Sequence, residues 1–184
     1  MWRVLCGFVA LALYGCSAEG DSASDWAWVD QTDRLEREPS ISEGCGDFFL
    51  YARSESDRRA MTLSGSGLLG AAAEAGGEFE LTLDLPTTAV TIEMLKGSAL
   101  SVEWCTDVLY PYGPVPVVRG VAVPSGGTLT LSAVTEAAST SWYAPGFVDV
   151  VLEGVTWETL GGVALPTLPA DVEMYDIYAG WFPG

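Results

Sequence analysis

Residues 78–85 read EFELTLDL, with Phe79, Leu81, Leu83 and Leu85 on one face of an extended chain and Glu78, Glu80, Thr82 and Asp84 on the other. Successive side chains of a strand point to opposite faces, so strict alternation marks a half-buried strand; an amphipathic helix repeats every 3.6 residues instead. The same period recurs down the chain. AVTIEML aligns Val90, Ile92 and Met94, and ALSVEW aligns Leu100, Val102 and Trp104. CGDFFLYAR, VVRGVAV, TLTLSAV and FVDVVLEGVTW continue the pattern, and VEMYDIYAGW would set Met174, Asp176 and Tyr178 opposite Tyr175, Ile177 and Ala179. Between these runs stand Gly76-Gly77, Lys96-Gly97, Pro124-Ser125-Gly126-Gly127 and Gly161-Gly162, which read as turns.

About nine to eleven short strands are therefore predicted from Cys45 to the C-terminus, and no second domain. Half-buried strands at this spacing predict an all-β fold, a two-sheet β-sandwich of immunoglobulin-like or jelly-roll-like architecture. The likeness to an immunoglobulin domain stops at architecture. Trp104 is adjacent to Cys105 rather than midway between two cysteines, and Glu103 stands where a tyrosine would precede the second. Helix is confined to short pieces, with GLLGAAAEAG (67–76) readable as helix or loop.

The N-terminus has a different character. MWRVLCGFVALAL has one positive charge, Arg3, and then an apolar run of about ten residues, too short for a helix that spans a bilayer with about 20. It matches the apolar core of a secretory signal. The run ends in Leu13-Tyr14-Gly15-Cys16. This resembles the lipobox of bacterial lipoproteins, in which a leucine lies three residues before the lipidated cysteine; Tyr14 is bulkier than the family's usual residue. The resemblance covers about 20 residues and implies a signal peptide over 1–15 and diacylglycerol on Cys16. It also implies a partner, the lipid bilayer, and a place in the bacterial cell envelope. Ser17, where aspartate would mark inner-membrane retention, points to the outer membrane.

Residues 16–44 then form the lipidated cysteine and a flexible acidic linker, and residues 45–184 the β domain. Ser17 to Asp25 has no apolar side chain larger than alanine and builds no core. In DWAWVDQTDRLERE, Asp25 is placed to cap a short helix from Trp26, and Thr32 or Asp33 a second. Trp26 and Trp28 have two readings: they dock on their own domain, or they form a sticky segment for a partner or the membrane interface.

With Cys6 leaving in the signal and Cys16 acylated, Cys45 and Cys105 remain, in an oxidising compartment where a pair makes one disulfide. It would close a loop of about 60 residues, worth roughly 4 kcal/mol in the chain-entropy account. The other reading, a metal site, lacks the two further ligands of a tetrahedral zinc.

Charge and composition exclude several functions. There are 25 acidic residues against 8 basic ones, for a formal net charge of −17. Such a surface repels phosphate backbones, so no nucleic acid is expected as a partner. With no histidine there is no Ser-His-Asp triad or Cys-His dyad, and Lys96 is the sole lysine. GSGLLG (65–70) lacks the lysine of a phosphate loop. Glu55 with Asp57, and Asp171 and Glu173 with Asp176, do not have the spacing of a calcium loop. No catalytic residue, metal or cofactor is predicted, and carboxylate pairs among so many acids point to no particular hydrolase.

The expectation is a non-catalytic envelope lipoprotein whose β-sandwich is an interaction or structural module for a protein partner. The alternative is a carbohydrate-binding module, since sugars stack on flat exposed rings. The candidate rings are Tyr110 and Tyr112 in YPYGPVP and Trp142 and Tyr143 in SWYAPG, with Tyr175, Tyr178 and Trp181 further on. Against this stands the reading that most of these rings fill the core or cover an edge strand.

Overall fold

A computed structural model describes residues 22–28, 31–46, 48–65, 67–100, 104–105, 115–135 and 146–179. Eight strands run through them: β1 (Ser42–Cys45), β2 (Phe49–Arg53), β3 (Arg59–Gly65), β4 (Glu78–Asp84), β5 (Val90–Ser98), β6 (Val117–Thr135), β7 (Gly146–Thr159) and β8 (Val172–Ala179). One short helix, α1 (Leu68–Glu74), connects β3 to β4. Its alanines favour helix, Ala72 is buried, and the amide of Gly77 closes its end on the Ala72 carbonyl at 2.9 Å. No helix among the described residues is long and apolar enough to cross a membrane.

All ladders are antiparallel and join the strands into one sheet in the order β1-β2-β3-β5-β6-β7-β8, with β4 as a branch on β6. The all-β expectation with a single disulfide is met at this level. The sheet curls until its ends nearly meet. Gly44 of β1 is buried against β8, and a side chain there would reach within 2.7 Å of the Tyr178 carbonyl oxygen and 2.5 Å of Leu50. Inside lie Leu50, Met61, Leu63, Met94, Leu129, Val148, Val150, Leu152 and Met174, each at most 2% exposed.

β6 organises the sheet. β7 follows it from Ala122–Thr159 to Thr135–Gly146, while on its other side β5 pairs with 117–122 and β4 with 128–134. Pro124-Ser125-Gly126-Gly127 is therefore not a turn between two strands: the ladder shifts register on both sides of Gly126, and the strand bends there without reversing. Gly127, at φ +114° and with a Cβ position 2.7 Å from the Val155 Cα, makes the bend sterically possible. Lys96-Gly97 likewise lies inside β5 and is not a turn; opposite it β6 uses one extra residue, Arg119. Such absorbed turns give fewer and longer strands than the spacing of glycines predicts.

β8 contains a third irregularity. Val148 faces Ile177 and Val150 faces Met174, so β8 uses one residue more than its partner. Asp176 takes φ +54° and its amide donates to Asp149 Oδ1 at 2.8 Å. The bulge overturns the simple alternation expected for VEMYDIYAGW: Met174 and Ile177 both point inward, while Tyr175 and Asp176 are exposed.

The disulfide joins Cys45 at the end of β1 to Cys105, with Cα atoms 5.5 Å apart. It holds the segment after β5 against the outer face of β2. There Trp104 meets Tyr51 and Phe49 edge-on, with ring centroids 5.0 and 6.1 Å away, and Tyr51 is buried although it faces outward. Replacing Cys45 and Cys105 by serine should lower the unfolding free energy by about 2–4 kcal/mol in urea titrations. The loss of this packing should be visible as a red shift in tryptophan emission before global unfolding.

Candidate functional site

The segment that precedes β1 lies on the domain. Ala23–Trp26 form a 3-10 turn, and Asp25 closes it by reaching back: its Oδ2 accepts from the Ser22 amide at 2.9 Å and the Ser22 hydroxyl at 3.0 Å. These bonds, the amide's first, hold the Asp25 carboxyl below its usual pKa. The helix expected to start at Trp26 instead ends there. A second 3-10 turn, Gln31–Asp33, precedes Leu35, and both Trp26 and Leu35 are in the core. Of the two readings of the tryptophans, docking on the chain's own domain is the one observed: Trp26 is fully buried and Trp28 packs beside the core.

What receives Trp26 is cationic. Arg59 of β3 and Lys96 of β5 are paired across the ladder and both are more than nine-tenths buried. The Arg59 guanidinium carbon lies 5.7 Å from the Trp26 ring centroid and 5.4 Å from that of Trp28, and Lys96 Nζ lies 5.0 Å from Trp26. Two like charges directly opposite on a sheet repel, and here the indole between them offers each its negative face, at about 0.5–2 kcal/mol per contact. Arg59 Nη2 also donates to the carbonyls of Trp26 at 3.5 Å and Ala27 at 3.3 Å. Burial draws the Arg59 pKa below its ordinary value, with Asp33 opposing, and the guanidinium stays charged at neutral pH.

Around these two cations a pocket of about 530 Å³ opens, walled by Asp25, Ala27, Asp33, Arg58, Gly97, Ser98 and Arg119. Asp33 is turned to its own surroundings, accepting from Ser56 Oγ at 2.6 Å and facing Arg58 Nη1 at 3.8 Å. Sequence reasoning missed this cluster, although the phase that sets Val90, Ile92 and Met94 inward also sets Lys96 inward.

A second feature lies on the outer face, at the far end of β6. Val134, Phe147 and Tyr178 stand side by side across β6, β7 and β8; Val134 and Phe147 are each just over half exposed, and the Phe147 and Tyr178 rings are 5.8 Å apart. Glu78 of β4 continues the row, and Asp149 lies two residues along β7.

The remaining candidates divide. Cys45 and Cys105 are bridged. Cys16, Tyr110, Tyr112, Trp142, Tyr143 and Trp181 lie outside the described residues. The acids weighed for calcium serve local contacts: Asp57 pairs with Arg53, Asp171 accepts from the Gly154 amide at 2.9 Å, and Glu173 pairs with Arg37. Among the described residues no three metal-capable side chains gather. Comparison with protein-family models, with curated proteins and with solved structures finds no match to this chain.

Trp26→Ala should destabilise the fold by about 3–5 kcal/mol in chemical denaturation, because it opens a cavity and strips both cations of their shared ring; Trp26→Phe should recover part of this. The contact of Arg37 with Glu173 has a pH signature. Hydrogen bonding from Arg37 holds the Glu173 carboxyl below its ordinary pKa, so the contact contributes above the ordinary glutamate value and is lost as pH falls through the lowered one. The stability difference between wild type and Arg37→Ala should shrink over that acid window.

Proposed function

We propose that the chain is a lipoprotein anchored through Cys16 in the outer membrane of a bacterial envelope, with a non-catalytic β domain that docks a protein partner. The domain is read as a two-layer sandwich whose layers share β6 and part where it bends at 124–128. Leu13-Tyr14-Gly15-Cys16 supports the anchor. The docked Trp26 supports a short tether, since the nine residues between Cys16 and Trp26 extend at most about 30 Å. The domain then works close to the bilayer.

The observation that carries the docking reading is the outward row of Val134, Phe147 and Tyr178. Large apolar side chains grouped on a rigid sheet face mark an interaction surface more than scattered ones do. Glu78 and Asp149 beside the row favour a partner that surrounds its own apolar contact with basic side chains. Aromatic residues on a preformed surface are also the usual anchors of such contacts.

Two measurements test this. The N-terminal peptide of the membrane-bound protein should begin at Cys16 and have the mass of a diacylglyceryl adduct, and Cys16→Ser should abolish both. A chain that begins elsewhere without lipid would remove the anchor from the reading. A photo-crosslinking residue at position 147 should give one discrete protein adduct in intact envelopes, absent when it is placed at the exposed Glu153 of the same strand. No adduct at 147, together with specific retention on a glycan array, would replace the protein partner with a carbohydrate.

A further inference from the structure

The chain has 8 basic residues among 25 acidic ones, and four of the eight, Arg58, Arg59, Lys96 and Arg119, line one pocket. Among the described residues two carboxylates share that pocket: Asp25 closes its own turn on Ser22, and Asp33 accepts from Ser56 and faces Arg58, so the four cations outnumber the acids. Elsewhere the surface is strongly acidic, so this is the place where an anion meets net positive charge. The arrangement serves more than the docking of Trp26. Arg58 and Arg119 are at the exposed rim and make no contact with the indole, and Arg119 comes from β6, next to Gly120, which pairs with Lys96.

A second, independent observation points to a missing acceptor. Arg59 Nε and Trp26 Nε1 are buried and have no hydrogen-bond partner. Both atoms are donors only, and leaving a buried donor unmade is costly. Of the two, Arg59 lines the pocket, and an orphaned guanidinium donor there, beside two further guanidinium groups at the rim, suits a ligand rich in acceptor oxygens. A phosphate group offers these in a geometry that guanidinium forks match and that an ammonium supports as a point charge.

From this geometry we infer that the pocket is a phosphate site, and that its ligand is the phosphorylated headgroup of a lipid in the leaflet that holds the anchor. The lipid source rests on the anchoring of Cys16 proposed above. Asp25 is part of the pocket wall and begins the stretch that runs back to Cys16, so the tether keeps this mouth within about 30 Å of the bilayer. A binding event made intramolecular in this way proceeds at an effective concentration in the millimolar range, so a weak site is occupied. The rest of the acidic surface is repelled by an anionic leaflet. Engagement of the pocket would therefore fix which way the domain faces and leave the Val134-Phe147-Tyr178 row available to a partner.

The test uses the full mature chain with Cys16→Ser, so no acyl group contributes to membrane binding. The probes are inorganic phosphate, followed by NMR shifts of the arginine and indole N–H groups, and co-sedimentation with vesicles of phosphatidylcholine alone or with 30% phosphatidylglycerol. The proposal expects saturable phosphate binding and a preference for phosphatidylglycerol vesicles. Both should weaken at least tenfold in Arg119→Ala and remain unchanged in Arg34→Ala, an exposed arginine outside the pocket. Thermal melts should show both variants folded. Phosphate binding without any vesicle preference would assign a soluble phosphate ligand and overturn the headgroup. No binding to either probe, or equal losses in the two variants, would overturn the site. Since the chain tested is unlipidated, none of these results depends on whether Cys16 is acylated, which the N-terminal mass decides by itself.

Discussion

The fold depends on β6 remaining one strand. Its 19 residues pair with β7 along one edge and with β5 and then β4 along the other, so it joins the branches of the sheet. A straight strand of that length would hold β4 and β5 in one flat surface. Instead the ladder shifts register on both sides of Gly126, between the stretch that pairs with β5 and the stretch that pairs with β4. Beside that bend, Leu85, Pro86, Val90, Ile92, Val123 and Pro124 line an open groove, and among the described residues β4 pairs along one edge alone. The exposed Glu78, Glu80 and Asp84 on that strand make it a poor template for pairing with another chain.

At the Arg59–Lys96 end of the β3–β5 ladder the chain packs its own N-terminal segment, with Trp26, against the sheet. The chemistry there is unusual for a core. Two cations face inward from neighbouring strands, where the same alternation further along places Met61, Leu63, Ile92 and Met94. A buried charge is tolerated only when something replaces its hydration. For Arg59 that role falls to two indole faces and three backbone carbonyls, those of Trp26, Ala27 and Arg58. The segment therefore does not simply lie on the domain; the inward charges require it. Further along, Glu173 holds the same segment through its amide, which donates to the Arg37 carbonyl at 2.6 Å, and through its carboxylate.

This explains which parts of the molecule were legible in the sequence. Alternation was a safe guide where the ladder kept register, as in β4 against β6, because a strand has only two faces. It failed at Asp176, where the need to place Met174 and Ile177 on the same side is met by an extra residue, and nothing in VEMYDIYA marks which residue that is. Glycine clusters marked bends correctly but not their kind. Gly76-Gly77 and Gly161-Gly162 lie between elements, whereas Gly97 and Gly126-Gly127 lie inside strands, and the difference is set by partners distant in sequence. Cys45 and Cys105 were readable as a pair since only two cysteines remained. The cationic pocket was not, because Arg59, Lys96 and Arg119 come from three strands, with Arg58 just before the first, that only the ladders bring together.

Under the anchoring at Cys16 proposed above, the domain would face a mechanical problem that these features address jointly. Any pull on Cys16 arrives first at the segment that carries Trp26, and from there at β3 and β5, in the interior of the sheet rather than at an edge. β1, the edge strand that follows in sequence, is held separately by the disulfide to the segment after β5. Force applied at the anchor would thus have to extract a buried indole from between two cations before it could peel β1 from β2, and peeling is in turn blocked by a covalent bond. A domain whose N-terminus entered directly at β1 would have the disulfide alone. The same docking of Trp26 against Arg59 and Lys96 also sets Asp25, where the proposed tether would leave, in the wall of the basic pocket.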